Sequence, residues 1–168
     1  SARRVLKLVF RAAETLSRKA VCDYEAHHAL AKRAAAEGAV LLKNEGGMLP
    51  LKQDVKIAVI GAMAKNLRHQ GAGSSHINPT GLSQPLDFLP DAVYAPGCDD
   101  RGDTTDALLE EAKKAAQQAE IAVVFAGLPD RCESEGFDRD DMKMPAGHLR
   151  MIEAVASANS NTIVVLLC

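Results

Sequence analysis

The 168-residue chain carries a formal net charge of −2, with 47% hydrophobic and 25% charged residues, enough apolar material for the core of one domain or slightly more. The faint acidity argues against broad affinity for nucleic acid or an anionic membrane surface, both of which need a basic face. Aromatics are 4% and Trp is absent, so no sugar-stacking platform is evident. No apolar run approaches the ~20 residues of a membrane helix, and SARRVLKLVF has no apolar signal core. Four scattered cysteines, Cys22, Cys98, Cys132 and Cys168, match no metal spacing. They read as unrelated free thiols of a reducing, cytoplasmic compartment. The missing Met and the apolar stop at TIVVLLC suggest a piece of a longer protein.

The first predicted element is a helix from Ala2 to Ser17. Val5, Leu8, Val9, Ala12 and Leu16 recur at helical spacing, with Arg3, Arg4, Lys7 and Arg11 mostly opposite. A second helix follows in residues 22–44, capped by Asp23 and helical to Leu42, before Asn44–Gly47 breaks it. From Val55 the texture changes to short apolar β-rich runs at 56–61, 92–97, 121–127 and 162–168. Runs that are continuous rather than alternating predict parallel strands covered on both faces. Thr104 or Thr105 caps a helix over DALLEEAKKAAQQA, whose stripe is Leu108, Leu109, Ala112, Ala115, Ala116 and Ala119. Pro145 starts another helix, with Leu149, Ile152, Val155 and Ala156 facing inward. The alternation implies βαβ crossovers and a doubly wound, mainly parallel α/β sheet flanked by helices.

Several candidate sites fall at strand ends. GAMAKN after the first run lacks the dinucleotide fingerprint, and no phosphate-loop lysine motif exists. GAGSSHINPTG, residues 71–81, has glycines for close backbone approach and polar groups in Ser74, Ser75, His76 and Asn78. No GxSxG elbow supports a serine nucleophile. His27, His28, His69 and His148 lack metal-ligand spacing and read as structural.

The richest segment is CESEGFDRDDMKMP, residues 132–145, which follows the third run where open α/β sheets carry function. Asp130–Lys143 holds six acids and three bases, and composition alone fits a solvated loop. Two details point elsewhere. Gly136 lets the backbone turn and leaves the Glu135 carboxyl projecting, and Phe137 offers an apolar wall. A carboxyl beside apolar surface and other acids is expected to have a raised pKa, suited to a general acid. Arg139 is expected to hold Glu133 or Asp138 ionised meanwhile.

The string ESEGFDRDDMKMP resembles the acid/base loop of glycoside hydrolase family 3 β-glucosidases. AKRAAAEGAVLLKNEGGMLPL, residues 31–51, resembles the family's linker into its second domain. KIAVIGAMA and GAGSSHINP resemble that domain's first strand and Gly-Ser loop, in the family's order. The resemblance implies a (β/α)₈ barrel supplying an aspartate nucleophile and an α/β sandwich supplying an acid/base glutamate. By position that glutamate is Glu135, with Glu133 the competitor; Asp138, Arg139, Ser74 and Ser75 are possible supporting or substrate-binding residues. Residues 1–20 then resemble the last barrel helix, 21–54 the interdomain helix and linker, and 55–168 an incomplete sandwich domain.

VYAPGCDDRGDTTD runs straight into a helix, leaving no room for an inserted carbohydrate-binding module. The implied reaction is retaining hydrolysis of a terminal β-linked glucosyl residue, with a β-glucoside or small oligosaccharide as partner. It needs the barrel domain and no metal or cofactor. Another exo-glycosidase such as a β-xylosidase, or a non-catalytic α/β binding module, are the alternatives. A Glu on this loop tilts away from relatives that cleave N-acetylglucosamine with a barrel-borne Asp-His dyad. A homo-oligomer is compatible with all of these, and neither nucleic acid nor membrane is an expected partner.

Overall fold

The computed structural model describes residues 1–16, 18 and 21–167, so Ser17 and Cys168 of the predicted elements lie outside the described residues. The chain divides into two compact units, residues 1–45 and 46–168. No helix among the described residues is long and apolar enough to cross a membrane.

The first unit holds α1 (Ala2–Leu16) and α2 (Tyr24–Gly38), neither with a buried side chain. Asp23 caps α2 as its sequence suggests, its Oδ1 accepting from the Ala26 N–H at 2.9 Å. The helix stops at Gly38, four residues short of the predicted end, and Ala39 is extended with ψ 133°. Gly38 and the β-branched Val40 disfavour a further turn. The apolar run Val40–Leu42 is therefore extended chain, not helix.

The second unit is a four-stranded parallel sheet ordered β2-β1-β3-β4. Its strands are β1 (Ile57–Ile60), β2 (Val93–Ala95), β3 (Ile121–Gly127) and β4 (Thr162–Leu167), each within a run read from sequence. All four runs are expected to be covered on both faces, and the inner strands meet this: β1 and β3 are buried after their first residue. Edge strand β4 alternates, and Val164 and Leu166 stay partly exposed.

Helix α3 (Asp106–Gln117) joins β2 to β3, and α4 (Ala146–Ala158) joins β3 to β4. Both connections step across the sheet in one direction, so right-handed crossovers put both helices on one face. There Leu109, Ala112, Ala115, Ala116, Met151 and Val155 pack on Ala58, Ile60, Ala95, Val124 and Ala126. The opposite face packs Val59, Val123 and Phe125 against Met63, Ala64, Leu86 and Leu89 of the long β1–β2 connection. Thr105 caps α3, while Thr104 bonds the Gly97 carbonyl at 2.7 Å.

The α4 stripe differs from expectation. Its buried residues are His148, Met151 and Val155, with Ile152 half-buried; Leu149 and Ala156 face outward. A polar residue displaced the apolar stripe because its ring is satisfied: His148 Nδ1 lies within hydrogen-bond reach of the Gly127 backbone, 2.9 Å from its carbonyl oxygen and 3.2 Å from its nitrogen. This agrees with the structural reading of that histidine. Cys22, Cys98 and Cys132 are free thiols.

Candidate active site

Parallel strands deliver all their carboxyl ends to one edge, and three loops meet there: residues 61–92 after β1, 96–105 after β2 and 128–145 after β3. This is where open α/β sheets place their sites. An open cleft of about 440 Å³ lies among the loops, lined by Arg68, Gln70, His76, Gln84, Asp100 and Arg101 with others.

Polar side chains tie the loops together. Asn66 Nδ2 donates to Asp100 at 2.9 Å. Arg131 binds Asp103 in a fork of 2.8 and 2.7 Å, which holds the Asp103 carboxyl below its ordinary range. The turn carrying Asp103 is built on Asp99, whose Oδ1 accepts from the N–H groups of Arg101 and Asp103 at 2.9 and 2.8 Å.

Glu135 sits at the tip of the β3 loop. Gly136 takes φ +83°, a left-handed value that glycine accepts without strain, and a Ser134–Phe137 bridge closes the turn. The tip reaches the Gly-Ser loop: Glu135 Oε2 accepts from the Ser74 backbone N–H at 2.7 Å. Gly73 makes this approach possible, because a Cβ there would lie 2.7 Å from Glu135 Cβ. Two regions that the sequence marks separately are thus brought together, with Glu135 exposed between them.

The expected electrostatics are overturned. The Ser74 hydroxyl, then its backbone N–H, hold the Glu135 carboxyl below its ordinary value, with only a slight opposing effect of burial. Phe137 is 62% exposed and walls off nothing. Nor does Arg139 hold Glu133: both Arg139 and Asp138 stand exposed, and Glu133 is bound by Arg68, Nη1 to Oε2 at 3.2 Å and Nη2 to the carbonyl at 3.1 Å. Ser75 turns to its own loop, its hydroxyl donating to the Ala72 carbonyl at 3.2 Å. Arg68, Asp103 and Arg131 went unnoticed in the sequence, because long-range partners leave no local pattern; their only signal is position just past strand ends. Among the described residues no group of three or more His, Cys, Asp or Glu side chains could hold a metal ion.

The arrangement presents the Glu135 carboxylate, solvent-accessible and oriented by a backbone donor from a neighbouring loop, able to accept a proton or, once protonated, to give one. Comparison with known proteins adds its context. Residues 39–168 match the family model described as the glycosyl hydrolase family 3 C-terminal domain. Over 98% of its length the chain is 51% identical to thermostable beta-glucosidase B of Acetivibrio thermocellus, of which it covers 23%. Over 86% it is 44% identical to an exo-alpha-(1->6)-L-arabinopyranosidase of Bifidobacterium breve, of which it covers 21%. The crystal structure of a GH3 beta-glucosidase from Bifidobacterium adolescentis superimposes with a TM-score of 0.88 at 40% identity, over 96% of this chain and 24% of that one. The chain thus spans under a quarter of the length of each of these three relatives.

Proposed function

The chain belongs to glycosyl hydrolase family 3 through that family's C-terminal domain, and from this we propose that it is part of a retaining β-glucosidase whose general acid/base is Glu135. The observation that carries the reading is the exposed Glu135 carboxyl, held out by the Ser74 N–H at the sheet's carboxyl edge. Glu133 is the weaker candidate because its carboxylate is engaged by Arg68.

In this reading residues 1–20 end a barrel domain, 21–54 link the domains and 55–168 belong to the sandwich. An aspartate of the barrel attacks the anomeric carbon as the glycosidic C–O bond breaks. Glu135 gives its proton to the departing oxygen. It then takes a proton from water, which attacks the glycosyl-enzyme and releases the sugar and the aspartate. The two carboxyls of such a pair stand roughly 5 Å apart. The lowered pKa of Glu135 suits the second, base step. The first step needs it protonated, which the aspartate's negative charge and a desolvating substrate favour once the site is closed.

A pentopyranosidase is the second reading, favoured by the 44% identity to an arabinopyranosidase. Comparing kcat/KM on 4-nitrophenyl β-glucoside, β-xyloside and α-L-arabinopyranoside separates the two.

The decisive experiment uses the full-length enzyme. Glu135→Ala is expected to slow unactivated alkyl glucosides by ~10²–10⁴-fold, the usual share of general acid–base catalysis. It spares the glycosylation step of 2,4-dinitrophenyl glucoside, and azide restores turnover as glycosyl azide. If Glu133→Ala shows azide rescue and Glu135→Ala does not, the assignment moves by two residues. If neither variant changes the rate, the domain is a non-catalytic module.

A further inference from the structure

We propose that Arg68 is the positioning residue of the acid/base loop, an inference that rests on Glu135 being the acid/base. The side chain of Arg68 is 15% exposed while the acids around it, Asp130 and Glu133, are 59% and 58% exposed. The guanidinium is therefore the inner member of this cluster, and the acids wrap over it.

Its bonds are to backbone as well as to charge. Nη1 donates to the Leu128 carbonyl at 3.0 Å and to Glu133 Oε2 at 3.2 Å, and Nη2 donates to the Glu133 carbonyl at 3.1 Å. Nε lies 3.6 Å from Asp130 Oδ1 and is buried without a hydrogen bond. Leu128 is the first residue beyond β3, and Glu133 stands two before Glu135. One planar group thus ties the start of the β3 loop to a point two residues before Glu135. A fork of N–H groups on separate nitrogens suits this; an ammonium gathers its three donors on one nitrogen.

Arg68 is itself anchored, since the neighbouring Leu67 N–H donates to Gln84 Oε1 at 3.0 Å. The β1 loop therefore grips the β3 loop twice, at its stem through Arg68 and at its tip through Ser74. Burial does not help, because Glu135, Gly136 and Phe137 are all exposed. With Arg68 removed, only Ser74, through its N–H and hydroxyl, is left to aim the carboxyl.

The test uses the full-length enzyme with Arg68→Ala and Arg68→Lys, each assayed on an alkyl glucoside and on 2,4-dinitrophenyl glucoside, under conditions where glycosylation limits the rate. Misplacing a catalytic group by about 1 Å costs on the order of 10²-fold. Arg68→Ala is expected to lose about that in kcat on the alkyl glucoside. The activated substrate changes by under ~3-fold, because its leaving group needs no proton. Azide does not restore Arg68→Ala, since the Glu135 carboxylate is still present to repel it. Arg68→Lys recovers part of the loss.

Equal losses on both substrates, or none, overturn the inference, as does azide rescue of Arg68→Ala. If Arg68→Ala does not fold, Arg68→Lys decides by the same ratio between substrates. Glu135→Ala, run beside them, separates the failures. If it keeps normal leaving-group dependence, the acid/base assignment falls and this inference with it. If it shows the dependence and the Arg68 variants do not, this inference alone falls.

Discussion

The Ser74 hydroxyl and backbone N–H both act on Glu135, and both favour its charged form. Donors aimed at a carboxylate stabilise the anion and not the acid, so its pKa falls from the ordinary 4.5. The expectation of a raised pKa assumed that Phe137 would cover the carboxyl; the turn at Gly136 leaves both in solvent. The consequence is measurable in this chain. In NMR titration, Glu135 should titrate below 4.5. Ser74→Ala should move it up toward that value but not beyond, since the backbone donor persists. An unmoved titration would mean that the hydroxyl contributes nothing. By linkage, whatever this bond adds to stability is present above the unfolded pKa and fades as pH falls through the folded one.

Helix α4 couples the core to this loop through one side chain. His148 lies 1% exposed, with Nδ1 on the carbonyl of Gly127, the last residue of β3 before the loop departs. Burial is the main reason its pKa is lowered; Arg131 lowers it further, while the Gly127 bond and Asp99 oppose. The unfolded chain therefore takes up a proton near pH 6.5 that the folded one resists. Stability contributed by neutral His148 is present above that pH and is lost as pH falls toward the folded pKa. Urea unfolding between pH 8 and 5 should show the decline, and His148→Asn should flatten it; an unchanged slope in the variant would assign the decline to other groups. The contrast with α3 explains what could be read in advance. Its Ala-rich stripe and Thr105 cap are local patterns, visible in a dozen residues. The inward face of α4 depends on a carbonyl 21 residues away, and nothing around position 148 announces it. The same holds for Arg68, whose partners lie 60 and 65 residues on.

The four strands, their parallel direction and the choice of the Glu135 and Gly-Ser loops as candidates are legible because each is written in contiguous residues. How the three loops are locked together is not, because it is set by pairs such as Asp103 with Arg131 that only the folded sheet makes neighbours. On the proposed reading, this braced edge supplies half of a two-carboxylate site. Glu135 is available, but the nearest acid along the chain, Glu133, is tied to Arg68 and cannot double as a nucleophile. A retaining mechanism needs both carboxyls at about 5 Å, and lone acid catalysis supplies only ~10²–10⁴-fold of an acceleration that in enzymes starts at about 10⁶. Purified residues 1–168 should therefore fail to turn over 4-nitrophenyl β-glucoside at any rate above buffer that Glu135→Gln abolishes. The full-length enzyme should hydrolyse it, and mass spectrometry should detect a covalent 2-fluoroglucosyl adduct on a residue outside this segment. An adduct within residues 1–168, or Glu135-dependent turnover by the segment alone, would place the nucleophile here and undo the division of labour between domains.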